Sequence, residues 1–366
     1  MPILHLIDTI DLGGAQTVVK GIVDEQIEAT DLHLYALRSK DIELEIKHPN
    51  FYVFEGTAKY SFAPLKPLAK LIKEKGISVL HCHLFKSQVF GWRLKKQFPY
   101  LKLVFHEHGQ IFGTTAVENF AFYNFIRWAK NSVDLFVAVS GATKQLLIER
   151  TNVAAEKIEV LYNFVDLTKY DFGKQAELRV SKRAELGVKD DEIVVGTAGR
   201  VSTIKGMEYL IRALPKLDFN YRCIVAGEGE LRAGLQQLAK DLGVADRVSF
   251  LGFVSDMPNL YPAFDIYAMP SLSEASPMTF YEAQAYGKPV VGSNVSAINE
   301  FVVPNKNGLL FELKNPEDLA KKLNDLGNNA EKLKRFSENA VKNVQQYGLK
   351  AFNRNLQQIY QQKGWS

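Results

Sequence analysis

The sequence has few cysteines and no long apolar run. Its 366 residues include only two cysteines, Cys82 and Cys223, far apart and each within an apolar stretch. We therefore expect buried free thiols in a reducing compartment rather than a disulfide. The longest apolar stretch, around VDLFVAVS, is too short to cross a bilayer. The first residues, MPILHLIDTIDLGG, lack the basic start of a secretion signal. These absences predict a cytoplasmic protein without a membrane anchor.

Histidine is missing after residue 108, although seven histidines precede that point. His81 and His83 end one predicted strand, and His106 and His108 end another. Alternate residues of a strand face the same side, so each pair could supply part of a metal site. No convincing further ligands accompany them, and we predict no bound metal. His108, in HEHG, is predicted to contact a ligand, with a purely structural role as the alternative.

The net charge of +4 is unevenly distributed. Residues 64–130 contain eleven Lys/Arg against three Asp/Glu, whereas residues 1–63 contain five against ten. The basic stretch interleaves aromatics with bases in GWRLKKQFPYLK and NFAFYNFIRWAK. Such a surface suits an anionic membrane, and the alternative is a solvated basic face over core aromatics. We predict no nucleic-acid partner.

Short apolar runs alternate with amphipathic stretches in both halves of the chain, and the pattern restarts near residue 190. This alternation is typical of an α/β fold with doubly wound parallel sheets. The length favours two domains. Two such domains place a cleft between the carboxyl ends of their strands, where ligands bind in open sheets. A polar stretch separates the halves and is predicted to be a linker with one short helix.

Two loops after strands carry charges suited to a diphosphate. In GTAGRVSTIKG, Arg200 and Lys205 follow a strand, and such cations can bracket two phosphates. The alternative is an ordinary surface loop. In IDLGGAQ, Gly14 opens a helix after the first strand, where a tight turn and an anion site are equally compatible with the residues.

The stretch SEASPMTFYEAQAYGKPVV places Glu274 in a loop and Glu282 in a helix predicted to begin near Met278. Such a helix terminus can bind phosphate oxygens without a metal ion. A carboxylate accepts hydrogen bonds from paired sugar hydroxyls. A nucleotide sugar presents ribose, diphosphate and hexose in a row, which matches these groups. No Asp-x-Asp pair suggests a carboxylate-bound Mg²⁺.

Over nearly its whole length the chain resembles the retaining glycosyltransferases of family 4, which have the GT-B fold of two facing Rossmann-like domains. The motifs that carry the resemblance lie in the family's order and spacing. They are GGAQ, VLHCH, HEHG, VAVSGATKQLL, GRVSTIKGMEYLIRAL, VAGEGELR, SEASPMTFYEAQAYGKPVV and NGLLFELKNPEDLA. Two departures are Ala275, where the family often has glycine, and Phe164, which replaces the glycine of the usual NGVD.

The resemblance implies four segments. They are an N-terminal acceptor domain (1–168), a linker (169–190), a nucleotide-sugar-binding domain (191–344) and a C-terminal helix that crosses back to the first domain (345–366). Arg200 and Lys205 would bind the donor diphosphate, with Gly14 beside it, and Glu282 would hold the ribose. Glu274 and the backbone near Pro277, Met278 and Thr279 would face the sugar and phosphate. His108 would lie by the reacting sugar, and the base near Phe253 and Val254.

The resemblance further implies a metal-independent enzyme without a cofactor. It would transfer a hexose from a UDP- or GDP-sugar with retention, to a glycan, glycolipid or lipid-linked acceptor of envelope polysaccharide assembly. The enzyme would bind the inner face of the membrane peripherally. Two alternatives are a nucleotide-sugar epimerase on the same fold and a non-catalytic GT-B partner of another transferase. The epimerase needs an acid–base set that the sequence does not offer. A non-catalytic partner protein would have no physical need to keep Arg200, Lys205, Glu274 and Glu282 together.

Overall fold

Apolar strands and amphipathic helices alternate along the chain as the sequence pattern predicts. A computed structural model describes residues 1–39, 42–56, 58, 61–109, 116–218 and 220–365. These residues form two compact units, the first of Met1–Phe164 with Leu349–Ser366 and the second of Val165–Gly348. Each unit has a parallel sheet between helices, which confirms the predicted α/β fold class.

The first unit contains a seven-stranded sheet with the order β3-β2-β1-β4-β5-β6-β7. Its strands are β1 Ile3–Ile7, β2 Leu32–Ala36, β3 Phe51–Val53, β4 Val79–His83, β5 Lys102–Glu107, β6 Leu135–Ala138 and β7 Ile158–Val160. Its helices are α1 Gly14–Asp24, α2 Leu65–Glu74, α3 Phe85–Gln97, α4 Ala116–Ala129 and α5 Gly141–Thr151, with α14 Leu349–Gln362 from the end of the chain. The order reverses between β1 and β4, which creates a switch point of the kind where α/β proteins bind ligands.

The second unit contains a six-stranded sheet with the order β10-β9-β8-β11-β12-β13. Its strands are β8 Ile193–Ala198, β9 Tyr221–Ala226, β10 Val248–Gly252, β11 Ile266–Met269, β12 Val290–Ser293 and β13 Gly308–Phe311. Its helices are α6 Gln175–Glu185, α7 Met207–Ala213, α8 Arg232–Asp241, α9 Met257–Leu260, α10 Met278–Ala285, α11 Ile298–Phe301, α12 Pro316–Gly327 and α13 Ala330–Val344. Its switch point lies between β8 and β11, beside the two loops that carry the predicted charges.

The last helix, α14, packs within the first unit through one face. Phe352, Leu356, Ile359 and Tyr360 recur at helical spacing and are buried. Asn353 on the same helix donates a hydrogen bond to the carbonyl of Gly21 in α1, over 3.2 Å. These contacts give the final residues a core position despite their distance along the chain from the rest of the unit.

Phe164, which replaces the glycine of the family's NGVD motif, is accommodated by the packing around it. Its ring is buried and lies 4.9 Å from the ring of Phe352, between centroids. A Cβ added at Gly21 would lie 2.2 Å from this ring. Gly21 therefore provides the room for Phe164 between α1 and α14, and the departure from the family motif is compensated by packing.

The stretch predicted as a linker contains α6, which packs onto the second unit. Arg183 of this helix is buried, and its Nη1 atom lies 3.1 Å from a carboxylate oxygen of Asp265. Its Nη2 atom donates to the carbonyls of Lys189 and Glu192. A buried guanidinium with a carboxylate and two carbonyl partners is satisfied, so these bonds fix α6 against the sheet.

Candidate active site

The loop after β8 approaches the end of β11 closely because of a glycine. A turn over Thr203–Lys205 follows β8 and ends at Gly206, which has a φ of +59°. A Cβ at Gly206 would lie 2.2 Å from the carbonyl oxygen of Pro270, just after β11. Both the backbone conformation and the close approach therefore require glycine here. The turn brings Lys205 to the loop that carries Glu274.

Lys205 and Glu274, which the sequence predicted at one site, form an ion pair. Lys205 Nζ lies 2.7 Å from Glu274 Oε1, and the Ser271 hydroxyl donates to the same oxygen over 2.7 Å. The Glu274 side chain is 9% exposed and that of Lys205 is 26% exposed. Arg200, at the start of the same loop, has an exposed side chain. In this loop the Lys205 ammonium group is held by a carboxylate, whereas the Arg200 side chain extends into solvent.

Helix α10 begins at Met278, as predicted, with Pro277 at the capping position. Within the residues that the structure describes, no side chain caps this terminus. Its first amides carry the positive end of the helix dipole, which favours an anion. Lys205, Glu274 and Thr279 line a cavity of about 10 Å³ beside it. That is room for about one water molecule, so the cavity cannot hold a phosphate while Lys205 is paired with Glu274.

Tyr267 fixes the start of α10 against β8. Its hydroxyl group lies 3.1 Å from the amide nitrogen and 3.2 Å from the carbonyl oxygen of Ala198. It also bonds to the side chain of Thr279, and burial raises the pKa of the Tyr267 hydroxyl above its ordinary value. The tyrosine therefore stays neutral and connects the two loops that carry the predicted site.

Glu282 lies in the second turn of α10, half-buried, with a buried tyrosine as donor. The Tyr261 hydroxyl donates to Glu282 Oε2 over 2.7 Å. Burial raises the pKa of Glu282, while the bond from Tyr261 and the charge of Lys169 lower it. A carboxylate oriented in this way can accept hydrogen bonds from vicinal hydroxyls.

Phe253 and Val254 follow β10 in the same unit. Phe253 is 64% exposed, and Val254 is half-buried. An aromatic side chain that remains exposed beside a strand end is available to stack on a planar ligand. The nine predicted site residues after residue 190 therefore all lie in the second unit, in loops after strands or in α10.

Gly14 and His108 lie in the first unit. Gly14 is exposed at the first position of α1, and a Cβ placed there would lie more than 4 Å from every other atom of the described residues outside its own surroundings in α1. Nearby in sequence, Asp8 follows β1 and accepts hydrogen bonds from the amides of Lys86 and Ser87 at the start of α3. Burial raises the pKa of Asp8 to about 6. This edge of the first sheet thus offers an open glycine turn and a carboxyl group held by a helix terminus.

His108 follows β5 and belongs to a set of five histidines on one sheet face. The others are His5, His81, His83 and His106, and neighbouring rings lie with centroids 4.1–5.2 Å apart. Burial lowers the pKa of His5 and His108 to about 3 and that of the other three well below the ordinary value. All five imidazoles are therefore neutral at pH 7.

Two overlapping groups in this set could hold a metal ion, His5–His81–His83 and His83–His106–His108, with ligand atoms within 4.8 Å of one another. These nitrogens already bond to each other: His5 Nδ1 to His83 Nε2 at 2.9 Å and His83 Nδ1 to His108 Nε2 at 2.8 Å. Bound Zn²⁺ needs imidazole nitrogens that converge on one point with second-shell partners. Nearly parallel rings bonded in a row do not meet that requirement.

Sequence reasoning missed the side chains that hold the site in place. Tyr261, Tyr267 and Asp8 act through hydrogen bonds to residues distant in sequence. Ser271 acts through a bond to Glu274, three residues further along the chain. A tyrosine in the middle of a buried strand, as in IYAMP, is the one available signal, because a buried hydroxyl needs a partner. The partner itself is not readable from the sequence.

The predicted basic and aromatic surface on α3 and α4 is only partly exposed. Phe120 and Trp128 are 71% and 62% exposed, but Phe122 is buried, so the prediction of a membrane-binding surface from NFAFYNFIRWAK is wrong for this residue. Helical geometry turns Phe122 towards the sheet. Lys95 is paired with Asp134 at 3.0 Å and is not a free surface charge. Lys96 lies over the rings of Trp92 and Trp128, 3.7 and 5.1 Å from their centroids.

Two family models match the chain. Residues 179–343 match the model described as glycosyl transferases group 1, and residues 12–169 match the model described as glycosyltransferase family 4. The chain therefore belongs to the family 4, group 1 glycosyltransferases. It is a glycosyltransferase with the GT-B fold.

Several known proteins are similar to the chain. An uncharacterized glycosyltransferase of Methanocaldococcus jannaschii is 30% identical over 75% of this chain and 72% of that protein. The UDP-Gal:α-D-GlcNAc-diphosphoundecaprenol α-1,3-galactosyltransferase of Escherichia coli is 27% identical over 76% of this chain and 70% of its own. The crystal structure of Anabaena HepE with UDP superposes with a TM-score of 0.85 at 25% identity, covering 99% of this chain and 100% of that one.

In the part of the chain that the structure describes, no helix is both long enough and apolar enough to span a membrane.

Proposed function

We propose that the protein is a retaining glycosyltransferase that moves a hexose from a UDP- or GDP-sugar to a glycan, glycolipid or lipid-linked acceptor. The observation that carries this proposal is the meeting of Lys205 and Glu274 beside the uncapped start of α10. The Lys205 cation and the α10 terminus suit the phosphates of a ligand, and the Glu274 carboxylate suits its hydroxyl groups.

Lys205, Arg200 and the α10 terminus are the proposed diphosphate site. The phosphates would take Lys205 from Glu274 and draw the exposed Arg200 towards them. Gly14, at the first position of α1, is the proposed backbone contact of the diphosphate. These positive groups would stabilise the charge that develops on the leaving diphosphate without a metal ion. Preorganised electrostatic stabilisation of this kind is commonly the largest contribution to catalysis.

Glu282 is the proposed ribose-binding residue, and Phe253 with Val254 the proposed contacts of the base. Tyr261 holds one oxygen of Glu282, which fixes the plane of the carboxylate towards the two ribose hydroxyls. The exposed ring of Phe253 offers a stacking surface. A stacked base and a bidentate ribose contact would orient the donor before reaction.

Glu274 and His108 are the proposed contacts of the transferred sugar. In the reaction, the bond between the anomeric carbon and the phosphate oxygen breaks while the acceptor oxygen bonds to that carbon on the same face. The acceptor proton passes to the leaving phosphate oxygen. Because the acceptor attacks the face from which the phosphate leaves, the configuration of the sugar is retained without a protein nucleophile. The protein supplies orientation and charge stabilisation, with Pro277, Met278 and Thr279 lining the phosphate side.

Similar proteins support the donor and acceptor classes. Anabaena HepE has been crystallised with UDP and with UDP-glucose. The name of the similar Escherichia coli enzyme specifies a UDP-galactose donor and a diphosphoundecaprenol-linked acceptor. We accordingly expect a UDP-sugar as the first donor to test and a lipid-linked acceptor of envelope polysaccharide assembly.

A lipid-linked acceptor requires peripheral contact with the inner face of the membrane. The exposed Phe120 and Trp128 and the nearby Lys96 are the groups suited to it. An aromatic side chain enters the interfacial region readily, and each base near anionic lipid contributes about 1 kcal/mol.

A donor panel tests the proposed reaction. Purified protein would be incubated with UDP-, GDP- and ADP-sugars, with and without chelator, and release of the nucleoside diphosphate would be measured. We expect turnover of one donor class that is unchanged by chelator. Complete loss with chelator and recovery with Mg²⁺ would contradict a metal-independent site. Inversion of configuration at one carbon of the sugar ring, without release of the nucleoside diphosphate, would identify an epimerase instead.

Vesicle sedimentation tests the membrane contact. Lys96→Glu combined with Trp128→Ala should reduce pelleting with anionic vesicles, whereas Lys240→Glu, an exposed lysine of the second unit, should not. Lys95 is unsuitable for this test because its reversal would break the ion pair with Asp134. Equal pelleting with neutral and anionic vesicles in all variants would favour a soluble acceptor.

A further inference from the structure

The five buried histidines of the first sheet form two separate hydrogen-bonded chains. One runs from His5 through His83 to His108, with nitrogen–nitrogen distances of 2.9 and 2.8 Å. The other runs from the hydroxyl of Tyr360 through His81 to His106, over 2.5 and 3.2 Å. The rings stack on one another, but each bond joins members of the same chain. The two chains can therefore be perturbed separately.

In the first chain the position of one proton determines the position of the others. A neutral imidazole has one N–H donor and one acceptor nitrogen. His83 bonds through Nε2 to His5 and through Nδ1 to His108, so it donates to one of them and accepts from the other. Either all three rings carry their proton on Nδ1, or all three carry it on Nε2. The lowered pKa of each ring agrees with this neutral state.

The two ends of the chain decide between these arrangements. Within the described residues, His5 Nε2 and His108 Nδ1 are buried without a hydrogen-bond partner. The Nδ1 arrangement leaves an unpaired N–H at His108, and the Nε2 arrangement leaves one at His5. His5 is completely buried, whereas His108 is partly exposed after the end of β5. An orphaned N–H is costlier than an orphaned acceptor, so the proton belongs at His108, the ring nearer to solvent, rather than at the completely buried His5.

We infer that His5 and His83 are positioning residues that hold His108 as the Nδ1–H tautomer, so that it offers a hydrogen-bond donor to an oxygen of the sugar nucleotide. The part that concerns the ligand rests on the proposed function. A neutral donor held in this way would bind a hydroxyl or phosphate oxygen and would not remove the acceptor proton. This agrees with a reaction in which the leaving phosphate takes that proton.

The tautomers are directly measurable by NMR of the full chain labelled with ¹⁵N-histidine. Long-range ¹H–¹⁵N spectra distinguish Nδ1–H from Nε2–H rings. We expect His5, His83 and His108 all as Nδ1–H, the form that free histidine side chains populate less. An Nε2–H form of His108 in the unmodified protein would overturn the inference. This spectrum needs neither a variant nor a substrate.

Two variants test the coupling. His5→Phe keeps a ring at the end of the chain but removes the donor to His83, and should convert His83 and His108 to mixed tautomers. Tyr360→Phe removes one hydroxyl from the neighbouring chain and should leave His108 unchanged. Equal spectra of His108 in all three proteins would overturn the inference. So would stoichiometric Zn²⁺ binding that shifts His5, His83 and His108 together, because these nitrogens would then be metal ligands.

Turnover separates this inference from the proposed function. With a donor that the enzyme turns over, His5→Phe should lower kcat about fivefold to tenfold, the size expected for one misplaced neutral hydrogen bond. Tyr360→Phe should leave kcat within about twofold. If the spectra are as expected but no nucleotide sugar is consumed, the proposed function fails and the tautomer assignment stands. If kcat is unchanged in His5→Phe although His108 has become mixed, the donor role is wrong.

Discussion

The carboxyl ends of the two sheets differ in how they hold polar groups. In the first unit that edge carries buried imidazoles, whose lowered pKa values keep them neutral. In the second it carries Lys205, Glu274 and Arg200, which remain partly or fully in contact with solvent. The difference has a physical reason, since an imidazole can lose its charge on burial at little cost, whereas a charge needs a partner or water.

This difference suggests that the two units have different roles in the proposed reaction. The second unit would bind the anionic part of the donor, where charge must be kept, and the first would orient neutral oxygens through fixed hydrogen bonds. A charge that is partly exposed can be released to an incoming ligand, as the pairing of Lys205 with Glu274 requires. A buried neutral chain cannot rearrange without moving several protons.

Loss of the cation in the second unit should have the largest effect. Lys205→Met should lower kcat/KM for the donor about a hundredfold, or about 3 kcal/mol, because one charge at the leaving group is removed. The measurement is nucleoside diphosphate release at subsaturating donor. Lys216→Met is the matched control, since Lys216 is paired with Glu317 on the surface. A loss of less than threefold in Lys205→Met would assign the diphosphate to other groups.

Glu107 of the first unit should make the protein less stable as pH rises. Burial raises its pKa to about 8, against 4.5 in the unfolded chain, and Gln88 donates to its carboxyl group. Between these values the unfolded chain has lost the proton and the folded chain has kept it, so the free energy of unfolding falls with pH. Glu107→Gln should remove this loss, on the order of a few kcal/mol at pH 8.

Thermal unfolding from pH 4.5 to 8 measures this effect. The Tm of Glu107→Gln should match that of the unmodified protein at the acidic end and exceed it at pH 8. Glu74→Gln, at an exposed position on α2, is the control and should follow the unmodified protein throughout. A constant difference in Tm across the range would show that Glu107 is ionised in the folded state.

Lys288 of the second unit should produce the opposite dependence at higher pH. Its ammonium group is buried against the carbonyls of Pro262 and Phe264, and burial lowers its pKa to about 7 from 10.5. Between pH 7 and 10.5 the unfolded chain binds this proton and the folded chain does not, so stability rises with pH. Lys288→Met should lose this rise when Tm is followed from pH 7 to 9.5. An unchanged slope in the variant would assign it to other groups.

The smallest effect is expected at the hydroxyl that orients Glu282. Tyr261→Phe should weaken binding of UDP about fivefold, which is the ordinary net contribution of one hydrogen bond of about 1 kcal/mol. Calorimetric Kd values provide the measurement. Tyr221→Phe removes a similar buried hydroxyl, bonded to the carbonyl of Leu323 in the same unit, and should leave the Kd unchanged. Equal weakening in both variants would indicate a general loss of packing.

Much of the second unit's site could be predicted because its residues are close in sequence or at strand ends. Periodicity located β8 and α10, and the carboxyl ends of parallel strands meet at one edge, so Lys205 and Glu274 were expected together. Their 2.7 Å contact agrees with that reasoning. The partners of these residues were not predictable in the same way. Tyr261 reaches Glu282 from the turn after α9, 21 residues earlier in the chain.

The histidines of the first unit show more clearly how far prediction from the sequence extends. The sequence by itself determined that histidines end two strands and that alternate histidines share a face, because strand geometry is local. Only the tertiary structure decided that His5, 78 residues earlier, meets His83 and that Tyr360 reaches His81. It also decided that Phe122 is buried while Phe120 is exposed. Local chemistry sets which groups a strand or helix presents, but their partners depend on strand order and packing, which many distant contacts fix together.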